Sequence, residues 1–237
     1  MTTDKHVLIT GANRGIGLAL TQRYLKSGWH VLACCRDINN ADALTQLQAL
    51  YSHLSLIELE VTDYAAVDAL SHSLAHQPLN LLINNAGAYG PTNTSFGDTD
   101  VAAWRAVLEV NTIAPLKLVE AFYPQLKSAS QPGQPSVVAC LSSKVGSMSE
   151  NTRGGGYIYR SSKAALNSVV KSLSNDFQPD GIIAVALHPG WVQTQMGGPN
   201  ALIDTATAAQ GLRQVINNLT PSDSGLFIDY QGNYLPW

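Results

Sequence analysis

Short apolar runs alternate along this chain with segments of helical period, starting a few residues in. An apolar run at 6–10 leads into a glycine turn and a helix predicted over 14–27. A strand at 31–35 is followed by a helix at 41–51. A third strand at 54–60 precedes a helix that Asp63 is placed to cap and that ends near residue 76. A fourth strand at 79–84 leads to a long helical stretch at 100–127. Pro115 is expected to kink or split it, because proline lacks the amide and crowds the preceding turn. Strands at 136–141, 182–187 and 226–228, and helices after Tyr157 and over 205–219, complete the series. Strands apolar on both faces, alternating with helices, predict an α/β fold. The expected architecture is a doubly wound, mostly parallel, Rossmann-like sheet of about seven strands, with helices on both faces. No linker or repeat interrupts residues 1–237, and the Pro/Gly-rich segment 131–135 reads as a surface loop, so one domain is expected.

Composition narrows the functional classes. Hydrophobic residues make up 45%, as in ordinary globular proteins, and a formal net charge of −3 gives no general reason to bind nucleic acid or an anionic membrane. No apolar run approaches the ~20 residues of a membrane span. Residues 1–6 lead straight into a strand without a signal peptide, so a cytoplasmic location is expected. Cys34, Cys35 and Cys140 suit neither a disulfide framework nor a four-ligand zinc site. They are expected as buried hydrophobes, with no metal centre.

The turn Thr10-Gly11-Ala12-Asn13-Arg14-Gly15-Ile16-Gly17 sits between the first strand and first helix, where a doubly wound sheet binds a dinucleotide pyrophosphate. Glycines allow the tight turn and close backbone approach, and helix amides face the phosphates. Gly11, Asn13, Arg14, Gly15, Ile16 and Gly17 are the candidate contacts. Cofactor choice is read at the end of the second strand. An acidic residue there would take the ribose hydroxyls of NAD, but the chain carries Cys34-Cys35-Arg36-Asp37. Arg36, with Arg14 from the turn, is suited to a 2′-phosphate, which favours NADP(H) over NAD(H). Asp37 remains an alternative ribose ligand.

Tyr159 stands four residues before Lys163, which puts both on one helix face. An ammonium beside a phenol favours the ionised form, as a phenol that trades protons near neutrality requires. Tyr157 is a rival, but the residue four beyond it is Ser161.

These features resemble, in order and position over nearly the whole chain, the short-chain dehydrogenase/reductase family: the glycine turn, Asn84-Asn85-Ala86-Gly87, Asn111, the Ser142-Ser143 pair, Tyr159-x-x-x-Lys163 and His188-Pro189-Gly190. Tyr159 to Asn167, Trp191-Val192-Gln193-Thr194, residues 196–201 and the ending Pro236-Trp237 look like its C-factor branch, related to sniffer-type carbonyl reductases. The resemblance implies a catalytic tetrad of Asn111, Ser143, Tyr159 and Lys163. Tyr159 would protonate a carbonyl oxygen, Ser143 would orient it, and Lys163 would lower the phenol pKa and hold the nicotinamide ribose. Asn111 would stabilise a local helix irregularity and order a water, where a plain reading makes it a satisfied helix residue. Ser142 is the alternative to Ser143.

Asn85, Ala86 and Gly87 would line the adenosine. Glu60 would accept from the adenine amino group, with Val61 beside it. Pro189, Gly190, Val192 and Thr194 would pass the nicotinamide end. Residues 195–201 read as a mobile lid, and His188 as a turn residue at a strand end. Tyr89, Tyr157, Trp191 and Met196 are candidate pocket walls. The segment between Ser143 and Tyr159 is about three residues longer than is common in the family, with the excess expected within 150–156. The resemblance also implies a homodimer or homotetramer paired through the helices after Asn111 and around Tyr159. The expected activity is NADPH-dependent reduction of an aldehyde, ketone or quinone. The alternatives are a cofactor-binding signalling protein with little turnover and an NAD-linked alcohol dehydrogenase.

Overall fold

All seven apolar strands join one sheet in a computed structural model that describes residues 5–92 and 96–237; the expectation for residues 1–4 lies outside them. The elements run β1 (His6–Thr10), α1 (Gly15–Lys26), β2 (His30–Cys35), α2 (Asp42–Leu50), β3 (Leu54–Glu58), α3 (Tyr64–Ser73) and β4 (Leu81–Asn84). Then follow α4 (Val101–Leu108), a π-helical turn (Glu109–Ile113), α5 (Ala114–Ala129), β5 (Val137–Leu141), α6 (Tyr157–Asp176), β6 (Ile183–His188), α7 (Thr205–Asn218) and β7 (Phe227–Asp229).

The strand order is β3-β2-β1-β4-β5-β6-β7, and every pair is parallel. Winding reverses between β1 and β4, so a crevice opens at their carboxyl ends, the place where such sheets bind ligands. Alternation along the strands feeds two cores. Val7 and Ile9 pack with Leu20, Tyr24, Leu44 and Leu212 on one face. Leu8 packs with Val67, Phe122, Leu166 and Val170 on the other. Burial of both faces explains why the strands lack polar alternation.

Several boundaries differ from the sequence reading. β3 ends at Glu58, although Leu59 N still donates to the Cys35 carbonyl at 2.8 Å. β4 begins at Leu81, because the Leu79 amide turns to the Gln125 carbonyl at 3.1 Å. Asp63 does cap α3, accepting from Ala66 N at 3.0 Å, but the helix closes at Ser73 in tighter turns, with Ala75 N donating to His72 O.

The long stretch does split, and the break is a π turn centred on Asn111 rather than a kink at the proline. The Ala114 amide reaches back five residues to the Glu109 carbonyl. Pro115 has no amide to offer the Asn111 carbonyl, so widening the turn costs little there, and the proline settles into the first turn of α5. Cys34, Cys35 and Cys140 are buried free thiols, as expected. Among the described residues, no helix is long and apolar enough to cross a membrane, and no cluster of metal-ligating side chains forms.

Candidate active site

The glycine turn leaves β1 at the switch point, and three glycines shape it for different reasons. Gly11 and Gly15 take left-handed dihedrals (φ 64° and 57°), which side chains with a Cβ disfavour. Gly17 is needed for space: a Cβ there would lie 2.2 Å from the Gly11 carbonyl oxygen. Across the crevice, a Cβ on Gly15 would stand 3.4 Å from Thr194 Cγ2. Backbone lies bare on one side, with Thr194 opposite and the amino end of α1 below. This cradle fits a dinucleotide pyrophosphate.

Asn85 serves the turn as a strut. Its Nδ2 donates to the Thr10 and Gly11 carbonyls at 2.7 and 3.0 Å, and the Asn85 and Ala86 amides both donate to Thr10 Oγ1 at 3.0 Å. Thr10 was not singled out from the sequence, although it occupies the last position of β1. Its hydroxyl locks the two strand ends at the switch point.

At the end of β2, Asp37 is committed to its own loop. It accepts from the Asn39 amide at 2.9 Å and from Asn40 Nδ2 at 2.5 Å. The Asn40 side chain and these amides hold its carboxyl below the usual range. Asp37 therefore acts as a loop brace, and Arg36 beside it has an exposed side chain that reaches Glu60 Oε2 only at 3.9 Å. Glu60 Oε1 accepts from the Thr62 amide and hydroxyl at 3.2 and 3.1 Å, and its Oε2 lies 3.9 Å from Arg36 Nη1. Val61 beside it is buried.

The tetrad residues converge beside the crevice. Asn111 is fully buried. Its Oδ1 accepts from the Ala88 amide at 2.8 Å, and its Nδ2 donates to the Ala88 carbonyl at 2.8 Å and to Ser162 Oγ at 2.9 Å. The π turn thus carries a side chain that hydrogen-bonds both the loop after β4 and α6, and Ser162 is a partner the sequence did not announce. The two serines after β5 separate. Ser142 Oγ is buried and donates to Asn167 Oδ1 at 2.6 Å, whereas Ser143, whose Oγ accepts from the Val145 amide at 3.4 Å, faces the Tyr159 phenol.

Lys163 is buried on α6, its Nζ donating to the Leu141 carbonyl at 2.8 Å and lying 5.8 Å from the Tyr159 ring centroid. A Cβ on Gly146 would fall 2.8 Å from Lys163 Cβ, so the segment after β5 packs directly onto the lysine stem.

Burial acts on both ionisable groups. Burial pushes the Tyr159 phenol up to about 12, with the Ser143 hydrogen bond pulling it partly back. Burial also lowers Lys163 to about 8. Desolvation is the largest influence on the phenol, and the lysine Nζ is directed at the Leu141 carbonyl.

His188 ends β6, and Tyr230 N donates to its carbonyl at 2.9 Å. Burial lowers its imidazole to about 4, against an Asp229 carboxylate that favours protonation. A folded-state pKa below the unfolded value of about 6.5 means that the unfolded chain binds the proton first. His188 therefore contributes stability that is present above about pH 6.5 and lost as pH falls towards 4. Thermal melts across that range should show a falling Tm that His188→Asn flattens; an unchanged slope in the variant would assign the loss to other groups.

Beyond it, Pro189, Gly190, Val192 and Thr194 run along the crevice, and a Cβ on Gly190 would meet Ile203 Cδ1 at 2.8 Å. The segment read as a lid is folded on itself: Trp191 Nε1 donates to the Gly197 carbonyl at 2.8 Å, Gly198 N to Thr194 O, and Leu202 N to Trp191 O. The lengthened loop is also tethered, in a way only tertiary structure reveals. The Trp237 carbonyl accepts from Ser147 Oγ and from the Met148 and Ser149 amides, each at 3.1 Å, while its ring stacks on Phe227.

Comparison with known proteins agrees with this architecture. The family model described as short chain dehydrogenase matches residues 5–202. The C-signal protein of Myxococcus xanthus is 43% identical over 169 residues, covering 71% of this chain and 99% of that protein. The NADPH-bound carbonyl reductase from chicken fatty liver superposes with a TM-score of 0.93 at 38% identity, covering 99% of each chain. The carbonyl reductase Sniffer of D. melanogaster gives 0.94 at 35% identity, covering 99% of this chain and all of that one.

Proposed function

This chain belongs to the short-chain dehydrogenase family, and from that premise we propose that it reduces an apolar aldehyde, ketone or quinone with NADPH, Tyr159 donating the proton. The observation that carries the reading is the half-buried Tyr159 phenol, facing Ser143 and flanked by Lys163, beside the glycine cradle. The carbonyl reductase from chicken fatty liver, a structural neighbour, binds NADPH, which agrees with it.

Gly11, Asn13, Arg14, Gly15, Ile16 and Gly17 would hold the pyrophosphate, with Thr194 from the facing segment. Arg36 and Arg14 would take the 2′-phosphate. Val61, Asn85, Ala86 and Gly87 would border the adenosine, with Glu60 acting beside Arg36. Lys163 would bond the nicotinamide ribose, and Pro189, Gly190 and Val192 would pass its carboxamide. When bound, the cofactor supplies the hydride that reaches the carbonyl carbon.

The protein's own work is at the oxygen. Ser143 donates to it and fixes its position, and Tyr159 passes its phenolic proton to it as negative charge develops there. A phenol held near 12 stays protonated at neutral pH, so the donor is always loaded for reduction. Asn111 acts through the Ala88 loop and Ser162. Apolar side chains are exposed on the loops leaving this edge of the sheet and at the start of α6, among them Tyr89, Phe96, Met148, Tyr157, Trp191 and Met196, which favours an apolar substrate. Pairing through α5 and α6 and a cytoplasmic location belong to the same proposal.

NADPH oxidation by the purified protein against a panel of aldehydes, ketones and quinones tests the activity. Cofactor binding with no turnover on any of them would support the non-catalytic alternative instead. The cofactor assignment has its own test. Removing a charge-assisted phosphate contact costs about 1.5–3 kcal/mol, so Arg36→Ala should weaken NADPH binding by about tenfold to a hundredfold and NADH binding little. Fluorescence titration reads both constants, and the reverse pattern would defeat the assignment.

A further inference from the structure

Tyr89 leaves the loop after β4 and lays its ring against Tyr159, with centroids 4.7 Å apart and planes tilted by 31°. Its outer side is open, the residue being 45% exposed. An exposed aromatic resting on the proposed proton donor invites the question of what holds it there.

The answer lies on both sides of it in sequence. Ala88 is gripped at its amide and its carbonyl by the single Asn111 side chain, both bonds 2.8 Å long. Gly90 is wedged between α4 and α6, where an added Cβ would meet Val107 Cγ2 at 3.0 Å and Ile158 Cγ2 at 3.3 Å. The backbone carrying Tyr89 is therefore fixed at the residue before and the residue after. The ring position is built, and Asn111 is one of its builders. The groups facing the Tyr159 phenol are Tyr89 from this loop, the neutral Ser143 hydroxyl from the segment after β5, and Lys163 from its own helix.

We propose that Tyr89 is a positioning residue for Tyr159: its ring covers one face of the phenol, excludes water from it and leaves Ser143 and an incoming carbonyl oxygen as the partners of the hydroxyl. The inference rests on the reading of Tyr159 as proton donor. It also gives the buried Asn111 side chain a specific task, since the clamp on Ala88 sets the shield. The interaction needed is the flat ring; the Tyr89 hydroxyl is dispensable.

Acylation of tyrosine by N-acetylimidazole, with Tyr159 followed by peptide mass spectrometry, reads the shielding directly. In the wild-type protein Tyr159 should react slowly. In Tyr89→Ala it should react severalfold faster, and in Tyr89→Phe as slowly as in the wild type. Steady-state reduction should show kcat falling severalfold in Tyr89→Ala with NADPH affinity unchanged, and Tyr89→Phe should restore it. Tyr89→Leu keeps apolar bulk without a flat ring and should lie between the two; it carries the comparison if the alanine variant does not fold. Wild-type acylation rates in Tyr89→Ala or Tyr89→Leu, or a phenylalanine variant as impaired as the alanine one, would overturn the proposal. If the wild-type protein reduces no carbonyl, the reductase reading fails while the acylation rates still decide the shielding.

Discussion

Tyr159→Phe is expected to slow carbonyl reduction by about 10²–10⁴-fold, the usual contribution of a positioned general acid, while NADPH continues to bind. The substitution removes one oxygen and the proton it carries. What remains is an aromatic ring of the same shape, still stacked on Tyr89, whose contact is made ring to ring. Lys163 is held independently, by its Nζ bond to the Leu141 carbonyl and by the packing of Gly146 on its stem, so the proposed ribose contact does not depend on the phenol. Ser143 keeps its setting, because its Oγ accepts from the Val145 amide at 3.4 Å. The loss should therefore fall on kcat. Tyr157→Phe makes the matched control: that residue is exposed at the first turn of α6, so a change within about twofold is expected, as for a surface substitution. Stopped-flow NADPH oxidation with a reactive carbonyl separates the two. Retained turnover in Tyr159→Phe, or a comparable loss in Tyr157→Phe, would refute the assignment.

What was legible in the sequence follows how local each determinant is. The strands and the glycine turn were visible because burial of both sheet faces leaves unbroken apolar runs, and because turn chemistry is written in adjacent residues. The choice between Tyr159 and Tyr157 was likewise local, resting on a four-residue spacing. The helix break was half legible: Pro115 announced it, but its form as a π turn reflects Asn111 reaching Ala88 and Ser162, partners 23 and 51 residues away. Spacing likewise reports the neighbouring lysine but not the desolvation that raises the phenol. The bonds from Thr62 to Glu60 were not legible either, since nothing in the spacing of the two marks them as partners. The tether of the substrate-side loop by Trp237 joins residues 90 apart and leaves no periodic trace.

The same distinction between local and assembled determinants gives Gly17→Ala the second large effect. Conformation is not the difficulty, since Gly17 lies within α1 and alanine is the better helix former. The obstacle is space. The new methyl would sit 2.2 Å from the Gly11 carbonyl oxygen and 2.6 Å from Asn85 Nδ2, closer than real Cβ contacts allow. Neither neighbour yields easily. The Gly11 carbonyl is rigid backbone, and Asn85 Nδ2 is holding the Thr10 and Gly11 carbonyls at 2.7 and 3.0 Å. Relief must come from moving the turn off α1 or from breaking the strut to β4, and either distorts the proposed pyrophosphate cradle. Overpacking of this kind costs about 1–3 kcal/mol, so NADPH affinity should fall by about tenfold to a hundredfold, with a lower Tm. Gly28→Ala separates the two consequences. Gly28 takes φ 77° just beyond α1 with nothing within 4 Å of its would-be Cβ, so alanine there strains the backbone far from the cradle. It should lower Tm and leave NADPH affinity intact. Titration calorimetry and thermal melts on both variants decide the matter: if Gly17→Ala binds NADPH as the wild type does, the cradle is not where the cofactor sits.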